Sequence, residues 1–144
     1  MTKAKLIELL NQALELEHQA EAQYLSHATL LGGETADTIA ARLKEIAGDE
    51  HEHAGLFRQC IEILGGTPSI KMAEGHSATG NSAILKVNLK DEKDAVDLYR
   101  AILAELKACR EELPYEFEYI EHKVRHILID EQEHAMELKG LLGE

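Results

Sequence analysis

The chain has 144 residues, a length that suits one domain and leaves little room for two. It is 44% hydrophobic and 29% charged, with no tryptophan and only two prolines, which excludes disordered and collagen-like proteins. The net charge of −12 repels phosphate backbones and attracts cations, so we expect no nucleic-acid partner.

Four long segments carry apolar residues at the spacing of an amphipathic helix. The predicted helices cover about residues 2–31, 35–64, 83–112 and 114–142. Gly32-Gly33 follows the first segment and Gly65-Gly66 follows the second. Glycine readily ends a helix, so both pairs predict helix ends. The fourth opens at Pro114, a residue that suits a first helical turn. No segment shows the alternation of a β-strand, so the predicted fold class is all-α.

The lengths of the connections predict how these helices pack. Short connections join helices one and two, and helices three and four, so two antiparallel hairpins are expected at about 2–64 and 83–142. A Gly/Ser/Thr-rich stretch at about 65–82 separates them, and at up to about 3.3 Å per residue it could run the length of a whole helix. This pattern predicts an antiparallel four-helix bundle with one long crossover between helices 2 and 3. A single domain over residues 1–144 is expected.

The two predicted hairpins repeat a motif. Residues 49–54 (DEHEHA) match residues 130–135 (DEQEHA) at all but one position. The first helix of each hairpin also places a tyrosine seven residues after a glutamate. These pairs are Glu17 with Tyr24 and Glu92 with Tyr99. A duplicated helix hairpin explains the repeat and predicts a pseudo-two-fold axis through the bundle.

Each predicted helix directs one carboxylate towards the core near its middle, and two helices add a histidine three residues later. These residues are Glu17, Glu50, His53, Glu92, Glu131 and His134. Isolated ionised carboxylates in a core cost on the order of several kcal/mol each, and no lysine or arginine lies on these faces to neutralise them. Two divalent cations would balance the four charges, and oxygen-rich ligands with one imidazole per ion suit iron or manganese.

The sequence leaves two alternatives beside this metal site. One is a metal-free bundle in which the polar core residues hydrogen-bond each other, but the agreement of all six positions across the repeat favours the metal site. The other concerns a third Glu-x-x-His pair, formed by Glu15 and His18. Glu15 lies about 200° around the helix from Glu17, so we expect it on the solvent side and outside the site.

The chain resembles the ferritin-like di-iron carboxylate superfamily over essentially its whole length. Within that superfamily it is similar to the bacterioferritins at three places: Leu10-Asn11 ahead of Glu17, residues 23–28 (QYLSHA) and residues 65–68 (GGTP). The resemblance implies a ferritin-like bundle that binds two iron ions per subunit, although a Mn/Fe or di-manganese pair would use the same ligands.

The resemblance also implies a role for each candidate residue. Two glutamates would bridge the metal ions, two would bind one ion each, and the two histidines would complete the ligand sets. The bridging residues would be Glu50 and Glu131, and the glutamates that bind one ion each would be Glu17 and Glu92. The histidines are His53 and His134. Tyr24 and Tyr99 would orient carboxylates of the opposite half, the alternative being that they are aromatic core filler.

The chemistry implied by the resemblance is redox chemistry. Two ferrous ions held a few ångströms apart can deliver two electrons to O₂ or H₂O₂. The implied protein is a ferroxidase that oxidises Fe(II) in iron handling or oxidative-stress protection. The alternatives are a rubrerythrin-like peroxide reductase with an external electron donor and a non-catalytic iron-binding or storage protein.

Three features differ from the bacterioferritin pattern. His51 stands where bacterioferritins bind haem through a methionine, and we expect a solvated histidine and no haem. Glu21 lies one turn beyond Glu17 on the same face. It could be an extra metal ligand, an iron-entry residue or a solvated side chain. Only ten residues follow His134, so the short fifth helix of the 24-subunit shell has no counterpart, and a homo-oligomeric dimer or small cage is expected.

The cysteines and the hydropathy pattern bear on location. Cys60 and Cys109 form no CxxC motif, so we expect packed free thiols in a reducing cytoplasm. No apolar run approaches the ~20 residues that a membrane span needs, and the first residues do not resemble a signal peptide. A cytoplasmic protein with no membrane partner is therefore expected.

Overall fold

The structure, a computed structural model, describes residues 2–144. It contains four long helices: α1 (Thr2–His27), α2 (Ala36–Ile63), α3 (Asn81–Ala108) and α4 (Phe117–Leu142). A short 3₁₀ helix, Arg110–Glu112, lies between α3 and α4, and no strand occurs within residues 2–144. The predicted all-α fold class and four-helix architecture are confirmed.

The long crossover between α2 and α3 follows α1 along the bundle. Near the first half of α1, the Asn11 side-chain amide donates a hydrogen bond to the Thr67 carbonyl at 3.1 Å. Beyond the end of α1, the Asn81 side-chain amide donates to the Gly32 carbonyl at 2.8 Å. Because α3 therefore starts beside the end of α1, the two helices run antiparallel. α1 packs against α2 and α3, and α4 packs against α3 and α2.

Three helix boundaries differ from the sequence prediction. α3 ends at Ala108 rather than near Glu112, because residues 110–112 form the 3₁₀ helix. α1 ends at His27 rather than near Leu31, because the backbone tightens: the Leu30 N–H donates to the His27 carbonyl, three residues back. α4 begins at Phe117 rather than Pro114, since Pro114 lies in the turn that follows the 3₁₀ helix. The Phe117 N–H donates to the Leu113 carbonyl at 3.1 Å, so this turn leads directly into the helix.

The apolar core is divided into two clusters, one on each side of a polar layer at mid-bundle. We call the cluster that contains Leu10 and Phe57 the lower cluster. The cluster that contains Leu43 and Leu85 is the upper cluster. Both cysteines are buried free thiols, as expected, and burial raises the pKa of Cys60 to about 11. Within the described part of the chain, no helix is long and apolar enough to cross a membrane.

Candidate metal centre

The polar layer consists of the six side chains that the sequence singled out. Each is at most 4% exposed, although all six carry ionisable groups. α1 contributes Glu17, α2 Glu50 and His53, α3 Glu92, and α4 Glu131 and His134. Residues three apart on a helix share a face, so α2 and α4 each present a carboxylate and an imidazole to the same space.

These side chains form two overlapping groups of four. Within each group, one potential ligand atom from every residue lies within 4.8 Å of the others. The groups are Glu17, Glu50, His53 and Glu131, and Glu50, Glu92, Glu131 and His134. Glu50 and Glu131 belong to both groups, so the geometry matches two adjacent cation sites that share two carboxylates.

The distances around the two imidazoles follow the internal repeat. His53 Nδ1 lies 3.1 Å from Glu50 Oε1 and 3.4 Å from Glu17 Oε2. His134 Nδ1 lies 3.3 Å from Glu131 Oε1 and 3.4 Å from Glu92 Oε2. The near equality indicates that the pseudo-two-fold axis passes between the two groups.

Six buried atoms at this site have no hydrogen-bond partner: one carboxylate oxygen of each glutamate and Nδ1 of each histidine. Buried polar atoms in proteins are nearly always hydrogen-bonded, so a cluster of six such atoms in one space indicates that a ligand completes their contacts. Hard oxygens with one imidazole nitrogen per group are a donor set that iron and manganese bind. The residues present therefore fit a pair of divalent cations.

The metal-free site holds ionisable groups far from their usual pKa values. Burial, followed by repulsion from Glu131, raises the pKa of Glu17 to about 7, and the same two causes raise the pKa of Glu50 and Glu92 well above 4.5. Burial by itself would lower the pKa of His53 and would raise that of Glu131. The imidazole–carboxylate contacts outweigh burial, so the pKa of His53 rises to about 11 and that of Glu131 falls.

Metal binding at this site is expected to release protons. His53 and His134, each with a pKa raised to about 11, are protonated at neutral pH and must lose a proton to bind a cation. Affinity for Co²⁺ should therefore rise with pH between about 6 and 8. Calorimetric titrations in two buffers of different ionisation enthalpy would count the released protons. An affinity that does not change with pH would contradict this expectation.

Two tyrosine hydroxyls donate hydrogen bonds to carboxylate oxygens of the site. Tyr24 on α1 donates to Glu92 Oε2 at 2.6 Å, and Tyr99 on α3 donates to Glu17 Oε2 at 2.6 Å. Each tyrosine thus contacts the carboxylate of the opposite half, in a fully buried position. The structure brings together all eight residues that the sequence analysis placed in or beside the site.

Two aspartates that the sequence analysis did not assign contact the histidines from outside. His53 Nε2 lies 2.8 Å from Asp130 Oδ2, and His134 Nε2 lies 2.8 Å from Asp49 Oδ2. A carboxylate on one ring nitrogen fixes which nitrogen is free to face a metal. The signal was present in the sequence, because an aspartate precedes the core glutamate in both copies of the repeat.

The remaining polar candidates lie outside both groups. Glu21 contacts His51 at 3.1 Å on the α1–α2 surface, and the His51 side chain is 70% exposed. Glu15 does not simply face solvent, since it accepts a hydrogen bond from the Ser69 hydroxyl at 2.6 Å. Its neighbour His18 contacts a crossover carbonyl, so the Glu15-x-x-His18 pair holds the crossover against α1.

Residues 7–142 match the ferritin family (ferritin-like domain). The chain belongs to this family. Among its relatives, the bacterioferritin of Desulfovibrio desulfuricans is 36% identical over 112 residues, which are 76% of this chain and 60% of that protein. The bacterial ferritin of Neisseria meningitidis is 30% identical over 110 residues, 76% of this chain and 70% of that protein. This ferritin-like chain therefore spans less than two thirds of the length of the Desulfovibrio relative.

Solved structures share the fold of this ferritin-like chain. A ferritin-like, diiron-carboxylate protein from Bacillus anthracis superposes with a TM-score of 0.91 at 23% identity, covering 99% of this chain and 98% of that one. The Desulfovibrio desulfuricans bacterioferritin, whose diiron site was described in different catalytic states, gives 0.82 at 26% identity, over 99% and 80% of the two chains. Rhodobacter capsulatus bacterioferritin, described with a metal-free dinuclear site and a haem iron, superposes with a TM-score of 0.80 at 28% identity. The superposition covers 97% of this chain and 84% of that one. The chain is thus a bacterioferritin-like four-helix bundle with a candidate carboxylate–histidine metal site.

Proposed function

We propose that this protein is a ferroxidase, which oxidises Fe(II) with O₂ or H₂O₂ at a binuclear iron centre inside each subunit. The observation that supports it most directly is the pair of four-residue groups that share Glu50 and Glu131. Six buried atoms of these groups make no hydrogen bond. Similarity to bacterioferritins, one of which has a described diiron site, favours iron over manganese.

When bound, an iron pair would supply two-electron redox chemistry. Glu50 and Glu131 would lie between the ions, and Glu17 with His53 and Glu92 with His134 would hold one ion each. The protein's contribution is spacing and water exclusion, because the surrounding clusters are apolar and the ligands are almost fully buried.

The tyrosines and aspartates would position these ligands. Hydrogen bonds from Tyr24 and Tyr99 each leave one oxygen of Glu92 and Glu17 free to face an ion. Asp130 and Asp49 hold Nε2 of the two histidines, so that Nδ1 faces the site. Such outer contacts typically change metal affinity or activity by about 10–100-fold when they are removed.

The test is anaerobic Fe(II) loading followed by rapid mixing with O₂ or H₂O₂, monitored by absorbance. A ferroxidase is expected to oxidise many Fe(II) ions per site. A peroxide reductase would prefer H₂O₂ and return to the diferrous state only with an added reductant. A passive iron-binding protein would do neither, and that result would contradict the proposal.

Assembly and location are further parts of the proposal. We expect the chain to form a homo-oligomer, a dimer or small cage, and to work in the cytoplasm, where Fe(II) is available. Light scattering coupled to size exclusion would measure the assembly. A monomer at micromolar concentration would contradict the first expectation.

A further inference from the structure

A second group of polar side chains is buried beside the metal centre, where α1 packs against α3 under the crossover. We call this group the polar seam. It consists of Gln19, Gln23 and His27 on α1, Asn88 and Asp91 on α3, and His76 from the crossover. Four of these side chains are at most 6% exposed, which is unusual for amides and an imidazole.

Gln23 lies at the centre of the polar seam. Its amide nitrogen donates to Asn88 Oδ1 at 2.9 Å and to Asp91 Oδ2 at 2.8 Å. Its carbonyl oxygen accepts from the His76 backbone N–H at 2.7 Å and from the Gln19 amide. The seam therefore links helices α1 and α3 with the crossover through one neutral side chain.

The polar seam separates two cavities. The inner cavity, about 10 Å³, is close to the space that one water molecule needs, and the core glutamates Glu17, Glu50, Glu92 and Glu131 line part of it. The outer cavity, about 300 Å³, lies between α1 and the crossover and is lined by residues including His27 and His76. Gln19 and Gln23 line both cavities. Two amide side chains thus lie between the outer cavity and the metal ligands.

The internal repeat shows that the bundle does not require a polar seam. Shifting by the 75 residues that relate Glu17 to Glu92 aligns each helix residue of the seam with its counterpart in the other half. Gln19 aligns with the exposed Asp94. The other four, Gln23, His27, Asn88 and Asp91, align with Leu98, Ile102, Ala13 and Leu16, which are apolar and pack in or against the lower cluster. The α1–α3 interface is therefore polar above the metal centre and apolar below it, although the centre itself is symmetric.

The charge of the polar seam suits a cation. Its only ionisable groups are Asp91 and two histidines, and it includes no lysine or arginine. The Asp91 side chain is 15% exposed, contacts His76 Nδ1 at 3.0 Å and lines the inner cavity, not the outer one. Amides can turn either an oxygen or an N–H towards a neighbour, so Gln19 and Gln23 can contact a passing cation through oxygen.

We propose that the polar seam is the route by which Fe(II) reaches the metal centre, with the negative charge of Asp91 attracting the ion and Gln23 acting as the gate. This inference rests on the proposed binuclear site but not on its oxidation chemistry. A seal against water would explain burial, but the apolar counterparts at the other end of the interface seal it without amides.

The test is the rate at which Co²⁺, a divalent ion that O₂ does not readily oxidise, fills the site, followed by stopped-flow absorbance. The Q23L variant carries the apolar residue that the other half has at this position and should load at least about tenfold more slowly. The partly exposed D91N variant should load several-fold more slowly at low salt, because the attracting charge is lost. Both variants should still bind two ions per chain at equilibrium.

Three controls make the result specific. D94N removes an exposed carboxylate three residues from Asp91 and should leave the rate unchanged. E21Q tests the rival route at the α1–α2 surface, and it should also load at the parent rate. Circular dichroism melting checks that Q23L is folded. If E21Q slows loading while folded Q23L and D91N do not, the inference is wrong.

The two proposals fail in different ways. A parent protein that binds two Co²⁺ ions but oxidises no Fe(II) contradicts the ferroxidase proposal alone. Unchanged loading rates in both Q23L and D91N contradict the route alone. A parent protein that takes up no Co²⁺ at the core glutamates contradicts both.

Discussion

Replacing Glu50 or Glu131 by glutamine is expected to reduce Co²⁺ binding from two ions per chain to at most one. These are the residues common to both four-residue groups, so each substitution removes a charged oxygen donor from both sites. Glutamine keeps the volume of the side chain and so leaves no cavity. Equilibrium titration by absorbance, with the bound metal counted after gel filtration, measures the stoichiometry.

The two variants should differ in the stability of the metal-free protein. The pKa of Glu50 is raised well above 4.5 by burial and by Glu131, so E50Q should be as stable as the parent or slightly more stable. Glu131 instead carries the charge that His53 and His134 face, and its pKa is lowered by them. E131Q leaves buried imidazolium groups without that charge and should lose about 3 kcal/mol.

Matched controls lie two residues further along each helix. Glu52 and Glu133 are equivalent residues in the two copies of the repeat, and both are exposed. E52Q and E133Q should bind two Co²⁺ ions with parental stability. If E50Q and E131Q both retain two ions per chain, the bridging assignment is wrong.

Divalent metal should also raise the melting temperature of the protein substantially. Without metal, the centre holds repelling carboxylates and six buried atoms that make no hydrogen bond. Saturating two sites at 100 times their dissociation constants adds about 5 kcal/mol to the free energy of unfolding. For a chain of 144 residues this corresponds to a shift of roughly 10–20 °C.

Differential scanning calorimetry with and without Co²⁺, or anaerobic Fe(II), measures this shift. Mg²⁺ is the control, because it prefers octahedral oxygen ligands with several waters and suits a buried site with imidazoles poorly. E50Q should show a much smaller shift with Co²⁺ than the parent. Equal melting temperatures with and without Co²⁺ in the parent would contradict a buried cation site.

Periodicity in the sequence was enough to predict the bundle. Long amphipathic stretches with one crossover allow few other arrangements, and apolar faces on all four helices require a shared core. The same faces showed which carboxylates point inwards, since Glu17 or Glu131 on an apolar stripe has no route to solvent. Both glutamates are buried, as the pattern predicted. Their function as metal ligands stays a proposal.

Helix ends were harder to predict. Apolar periodicity continues past His27 to Leu31, yet α1 ends where local backbone hydrogen bonds tighten into a turn. Pro114 is compatible with a first helical turn, but the preceding 3₁₀ helix delays α4 to Phe117. Both outcomes depend on local hydrogen bonding that residue spacing does not encode.

The amino-acid order by itself determined the four helices, the repeat and the set of inward acids, because each depends on spacing along one helix. Contacts between helices were decided only in three dimensions. Asp130 on His53, Tyr24 on Glu92 and the Gln23 network each join residues more than 60 positions apart. Such pairings depend on how helices are rotated and shifted against each other, and packing of the whole core sets those degrees of freedom.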